Sequence, residues 1–229
     1  MDVKNYICLV VILLSACSTN EVETRLEAQR YSFGSAVHYP DGFAFLTPST
    51  VTGKEEDRQA LALLVYSHLK EERPDVPVVP LQVSLGRINR ADLSQDYLQM
   101  YHQYDVTGLF PVSTLNKLSK ALDARYLVQL KLASFEQWQS GRFSVFGLRV
   151  VQTKYANMRL FVQVWDGWSG DIAWEAVEEV NYAVDTMTSD SVTFHDVVRE
   201  AAARVIERMP PNNEEVIPLP STDIAVNEP

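Results

Sequence analysis

Catalysis needs side chains that can hold a metal, move a proton or attack an electrophile, and few in this chain have the spacing for it. The four histidines, His38, His68, His102 and His195, stand apart, with no HxxxH, HExxH or CxxC spacing to present adjacent ligands. His195 beside Asp196 has the composition of a catalytic pair, but neighbours on a helix point about 100 degrees apart. Asp196 instead suits a capping box with Thr193. The acidic pairs Glu55-Glu56 and Glu178-Glu179 are the residue type that cleaves glycans, where two carboxylates flank the bond. As adjacent pairs they read as solvated surface. No G-x-S-x-G elbow, Walker loop or G-x-G-x-x-G phosphate cradle occurs, so no catalytic residue, metal site or cofactor is expected. One nucleophile does sit in an informative context: the thiol of Cys17, at the end of Leu14-Ser15-Ala16-Cys17.

That tetrapeptide closes an apolar run from Tyr6 to Leu14, preceded by Lys4, which has the length of a signal-peptide core and is too short to span a bilayer. A cut after Ala16 would place Leu14 where an ordinary signal peptidase wants a small residue. L-S-A-C resembles the bacterial lipobox, in which the cysteine thiol is acylated and becomes the mature N-terminus. Cys17 is then a lipid anchor, and several acyl chains make attachment effectively permanent. The other reading of the same residues is a conventional cut after Cys17, with Ser15 and Cys17 as the small pair. Ser18, rather than Asp, follows the cysteine, and by resemblance to the sorting rule of Gram-negative lipoproteins this points to the outer membrane, facing the periplasm. Cys8 leaves with the signal peptide and Cys17 is acylated, so no disulfide is expected.

A chain of 229 residues with 46% hydrophobic content suits one domain with a proper core. No later stretch approaches a transmembrane helix. The formal net charge of -10 argues against nucleic acid or anionic lipid as the main partner. Residues 1–16 are expected as signal peptide, 17–30 as a flexible polar tether, 31–209 as one globular domain and 210–229 as a disordered, acidic, proline-rich tail.

The elements follow from periodicity. Gly42 to Leu46 reads as a first strand; Lys54 to Lys70 carries Leu61, Leu64, Val65 and Leu69 at helical spacing, with acidic residues at its start. Val76 to Leu85, with two prolines, reads as an edge strand interrupted at Gly86. Asp92 to Tyr104 and a segment capped by Ser113 read as helices. Tyr126, Val128, Leu130 and Leu132 then alternate as in a strand with one face in the core. Trp138 to Arg142 reads as a loop, Phe143 to Val151 and Ala156 to Trp165 as strands, and Asp166 to Gly170 as a turn leading into Ile172 to Val180. Thr188 to Ser191 reads as a loop. Phe194 to Met209 carries the cleanest apolar stripe, ended by Pro210 and Pro211. The expected fold class is α+β: helices packed on a mixed, largely antiparallel sheet.

The helix running into A-R-Y-L-V-Q-L-K-L, followed by the hairpin L-F-V-Q-V-W-D-G-W-S-G-D-I-A-W-E, resembles a group of bacterial envelope lipoproteins. It includes the curli-secretion (CsgG-type) and penicillin-binding-protein-activator (LpoB-type) lipoproteins, with domains like the N-terminal domain of TolB. In that group a strand ends in Asp, turns through Ser/Thr-Gly and returns to a Trp; Asp166, Ser169-Gly170 and Trp174 match. Asp166 would bond turn amides, Gly170 supply an unusual backbone angle and Trp174 pack across the hairpin. The resemblance implies action by binding proteins. No stretch corresponds to the membrane-inserting hairpins of the curli pore, and no pore is expected.

Exposed aromatics often anchor a partner, and Trp138, Phe143 and Phe146 cluster around Gly141. These three are the candidate partner-binding residues. Phe143, Phe146 and Trp168 equally suit covering the sheet, whereas Trp138 has the polar neighbours Gln137, Gln139 and Ser140. The expected function is that of a non-catalytic, outer-membrane-anchored binding or assembly accessory of a secretion, surface-organelle or peptidoglycan-synthesis machine. Its partners would be the membrane, through the lipid, and envelope proteins, with self-association as a further option and no nucleic acid. A membrane-anchored hydrolase acting on envelope material, and a purely structural oligomer, are the alternatives.

Overall fold

The computed structural model describes residues 20–30, 41–145, 148–186 and 192–209. Seven strands form one mixed, open sheet: β1 Asn20–Arg30, β2 Phe43–Phe45, β3 Ser49–Thr50, β4 Val78–Val79, β5 Tyr126–Val145, β6 Leu148–Asp166 and β7 Ile172–Thr186. Their order is β1-β7-β6-β5-β2-β4, with β3 also pairing β5. β5, β6, β7 and β1 form an antiparallel meander, while the short β2, β3 and β4 join in parallel. Five helices are described: α1 Glu55–Glu72, α2 Leu81–Arg90, α3 Ser94–Thr107, α4 Val112–Leu122 and α5 Phe194–Arg208. The domain is α+β.

Alternation along the strands builds a core on each face. Val128, Leu130 and Leu132 point with Leu160, Val162, Val164 and Trp174 toward α1 and α5. Leu127 and Trp165 point the other way, into a smaller core with Ile88, Met100, Leu115 and Leu118 of α2, α3 and α4. The expectation of one buried face for β5 is therefore too narrow. At about 25 cal/mol per Å², each fully buried Leu or Val contributes on the order of 1.5–3 kcal/mol before entropy is charged.

Local chemistry explains most element ends. α1 opens with Glu55, Glu56 and Asp57 against its positive N-terminal dipole. α3 ends on Gly108 at φ 72, whose amide donates to the Tyr104 carbonyl. In α5, Thr193 accepts from the Asp196 amide and the Asp196 carboxylate accepts from the Thr193 amide, the expected capping box.

Several expectations are corrected. Of the edge strand at Val76 to Leu85 only Val78–Val79 is strand; from Leu81 the chain is helical, with Gly86 inside α2. Leu81, Ser84 and Ile88 supply the buried helical stripe, and Pro80, lacking an amide proton, sits at the N-cap. α4 starts at Val112, one residue before the expected cap Ser113, because the Pro111 carbonyl already accepts from Thr114 and Leu115. The expected loop Trp138 to Arg142 lies within β5, and the two strands expected around it on the return merge into β6. Their shared register, from Tyr126↔Asp166 to Val145↔Leu148, carries the polar stretch along. Residues 20–30, expected as part of a tether, form β1, paired with β7 from Asn20↔Val184 to Arg30↔Trp174. The Thr188 to Ser191 loop, the signal peptide and the 210–229 tail lie outside the described residues.

Candidate binding surfaces

At the turn end of the sheet, β6 runs into the tight turn to β7. Asp166 Oδ1 accepts from the amides of Trp168 at 2.8 Å and Ser169 at 3.4 Å, as the turn chemistry requires. Its Oδ2 accepts two bonds from Arg125, from Nε at 3.0 Å and Nη2 at 2.7 Å. Burial works to raise the Asp166 pKa, but the Arg125 and amide bonds outweigh it and hold the carboxylate below its ordinary value. The same ion pair raises the pKa of Arg125. Gly167 donates to the Arg125 carbonyl at 2.7 Å, and a Cβ there would come within 2.6 Å of Ser119 Cβ on α4. Gly170 adopts φ +84, as expected, and Trp174 is buried opposite Val164.

Arg125 has a second face. Its guanidinium lies 4.4 Å from the centroid of the Trp168 ring and 3.4 Å from Asp41. Trp168 is 57% exposed, so it does not cover the sheet. Around it lies a depression of about 410 Å³, lined by Asp41, Lys120, Asp123, Arg125 and Trp168. A planar cation against an exposed indole, with charges of both signs nearby, is a set of groups suited to polar protein contacts.

Between β3 and α3 the surface is cut by a cleft of about 390 Å³ that includes Arg58, Tyr97, Tyr101, His102 and Asp105. Its floor is a polar network. The Thr47 amide donates to the Tyr97 hydroxyl at 2.8 Å, and the Tyr101 hydroxyl lies 2.7 Å from the Thr47 carbonyl and 2.8 Å from Gln129 Oε1. One helical turn on, Tyr104 donates to Gln163 Oε1 at 2.9 Å, and Gln163 Nε2 to Glu175 at 2.5 Å. Burial raises the pKa of all three phenols, so they remain neutral donors. These bonds satisfy the polar row Gln129–Gln163–Glu175 that the sheet buries under α3.

Beyond that row the α3 side of the sheet is less covered: Lys131, Arg159, Glu136 and Trp138 are exposed. Trp138, 50% exposed, lies flat against Tyr155 of β6, with ring centroids 5.4 Å apart and planes at 11°. The register supplies the contact, since Trp138 and Tyr155 are directly opposite. Of the other candidate residues, Phe143 is placed in β5 opposite Val151 with its side chain outside the description, and Phe146 and Cys17 lie outside the described residues.

The reading of Glu178-Glu179 as solvated surface fails for one member. Period-two alternation sends Glu179 outward and Glu178, with Ala176 and Val180, into the core, where it is 0% exposed. Neither carboxyl oxygen has a hydrogen-bond partner. Burial pushes its pKa up to about 7, opposed by the attraction of Arg204 on α5 and assisted by Glu200. It lines neither depression.

Residue types alone did not show the Tyr155 partner, the Arg125–Trp168 stack or the tyrosine network. Tyr97, Tyr101 and Tyr104 at i, i+4 and i+7 were a visible signal of one aromatic helix face. The other two needed strand register. Among the described residues no group of three His, Cys, Asp or Glu converges.

No family model matches the chain, and no curated protein matches it in sequence. Among solved structures it is similar to the PelC dodecamer from Paraburkholderia phytofirmans, with 10% identity over 80% of this chain and 95% of that one, at TM-score 0.43. The lipoprotein GNA1162 from Neisseria meningitidis matches at 8% identity over 73% of this chain and 96% of that one, TM-score 0.36. A PDZ domain protein from Parabacteroides distasonis matches at 10% identity over 91% and 41%, TM-score 0.36. These are likenesses of outline, and function is argued below from this chain's own residues.

Proposed function

We propose that this protein is a lipid-anchored, non-catalytic accessory of the bacterial envelope, held on the periplasmic face of the outer membrane by Cys17 and binding envelope proteins through the turn end of its sheet. The observation that carries the reading is the exposed Trp168–Arg125 stack, fixed by Asp166 and Asp41 at the end of the sheet opposite the start of β1. A rigid aromatic and a preorganised guanidinium lose little entropy on binding, which is why such residues dominate interface energetics. The lipobox-like Leu14-Ser15-Ala16-Cys17 supplies the anchor.

Two measurements test it. Fractionation of cells expressing Cys17→Ala should move the protein from the membrane to the soluble fraction; persistence on the membrane sinks the anchor. A photo-crosslinking residue at position 168 should capture a reproducible envelope protein that one at Leu63, exposed on α1, does not. Identical captures from both positions, or none, would overturn the assignment of the turn end.

A further inference from the structure

The cleft between β3 and α3 brings together two opposite charges that the fold does not pair. α3 lines it with Leu98, His102 and Asp105, which at i, i+4 and i+7 share one stripe of the helix. Thr47 to Thr50 line it from the β3 side, and Arg58 reaches it from α1, which packs beside β3. Among the lining residues Arg58 is the one Lys or Arg and Asp105 the one Asp or Glu. Neither forms an ion pair among the described residues, with the other or with a third group. Elsewhere on the same helices such charges do meet: Lys117 of α4 lies 2.9 Å from Asp96 of α3.

The remaining groups are those that a short chain of amide units would use. Half-buried Arg58 donates from Nη2 to the Gly53 carbonyl at 2.6 Å, which fixes the guanidinium, and the rest of its fork makes no bond among the described residues. A carboxylate is the ligand group that such a fork fits. Thr47 Oγ1 accepts from the Tyr97 hydroxyl at 3.0 Å and Ser49 Oγ from Gln129 Nε2 at 3.4 Å, so each keeps its own proton to donate to a carbonyl. The same cleft has apolar surface from Pro48 and from Leu98, which is 51% exposed. From Leu98 to Asp105 the helix advances roughly 10 Å, the length of two or three extended residues. The volume of about 390 Å³ falls in the range of small-ligand sites.

We propose that this cleft binds a di- or tripeptide with free termini, its carboxylate on Arg58, its ammonium on Asp105 and an apolar side chain against Leu98 and Pro48. Recognition runs through the two terminal charges and the backbone, so the site selects for length and free ends rather than for one sequence. It is separate from the turn end that carries Trp168, and it depends neither on Cys17 nor on a protein partner.

The probe is L-alanyl-L-leucyl-L-alanine, titrated into the full-length protein by calorimetry, with saturation-transfer NMR as the second readout. It should bind at one site. Amidating its carboxylate or acetylating its amine should each weaken binding about tenfold or more, which tests both charges in the unaltered protein. Arg58→Gln should weaken the free peptide by a similar factor and leave the amidated peptide as it was, because the charge that Arg58 served is already gone. Asp105→Asn should behave in the same way toward the acetylated peptide. A variant that merely disturbed the fold would weaken all three peptides alike and lower the urea midpoint, which is expected to stay unchanged. Absence of binding by both readouts, equal affinity for the free, amidated and acetylated peptides, or losses from variant and derivative that simply add overturns the proposal. None of these results bears on capture at position 168, so the turn-end reading stands or falls separately.

Discussion

Glu178 carries a carboxyl into the core between the sheet and α5 with neither oxygen hydrogen-bonded. Its pKa, raised to about 7 from 4.5, makes the folded state bind a proton that the unfolded chain releases. Between those values the unfolded state holds fewer protons, so this residue's effect on stability worsens as pH rises from about 4.5 to about 7 and is constant above. The full shift corresponds to about 3 kcal/mol, an upper figure because water and side-chain movement relax buried charges. Glu178→Gln should therefore raise the urea midpoint at pH 8 and leave it nearly unchanged at pH 4. Equal effects at both pH values would mean that the carboxyl is not buried as described. Arg204 and Glu200 on α5 are the charged groups that set this balance.

At the scale of elements, the β6–β7 turn and α4 hold one another by close approach. The Gly170 backbone, at φ +84, would put a Cβ 2.4 Å from Val112 Cγ2. Gly170→Ala should cost about 2–4 kcal/mol, combining left-handed strain with overpacking. Adding Val112→Ala should restore part of that loss by removing the clash while leaving the strain, and chemical denaturation of both variants measures the coupling. If the double variant is simply additive, α4 does not bear on the turn. The turn's chemistry was legible in Asp166, Ser169 and Gly170, because a carboxylate and a glycine have local work to do there. α4's part was not, because Val112 approaches the turn only through the fold.

For the whole molecule, the consequential difference lies in residues 20–30. Their polar composition reads as tether, yet an outermost strand needs only one strand partner, and β7 offers an edge along its whole length. A tether could be removed without effect. Deleting residues 18–30 from the processed chain should lower the thermal midpoint by roughly 5–10 °C, since on the order of 2–3 kcal/mol of pairing would be lost from a domain of this size. An unchanged midpoint would restore the tether.

The sequence by itself determined the α+β class, the capping of α5 and the turn at Asp166. Each depends on near neighbours in the chain: a capping box and a turn act over a few residues, and apolar period reports the local element. Tertiary structure alone decided that Trp138 meets Tyr155, that Arg125 joins Asp41, Asp166 and Trp168, and that Glu178 is enclosed while Glu179 is not. It also decided that residues 20–30 form a strand. Those outcomes depend on register across strands and on which face a helix covers, and a one-residue slip in register exchanges the two faces.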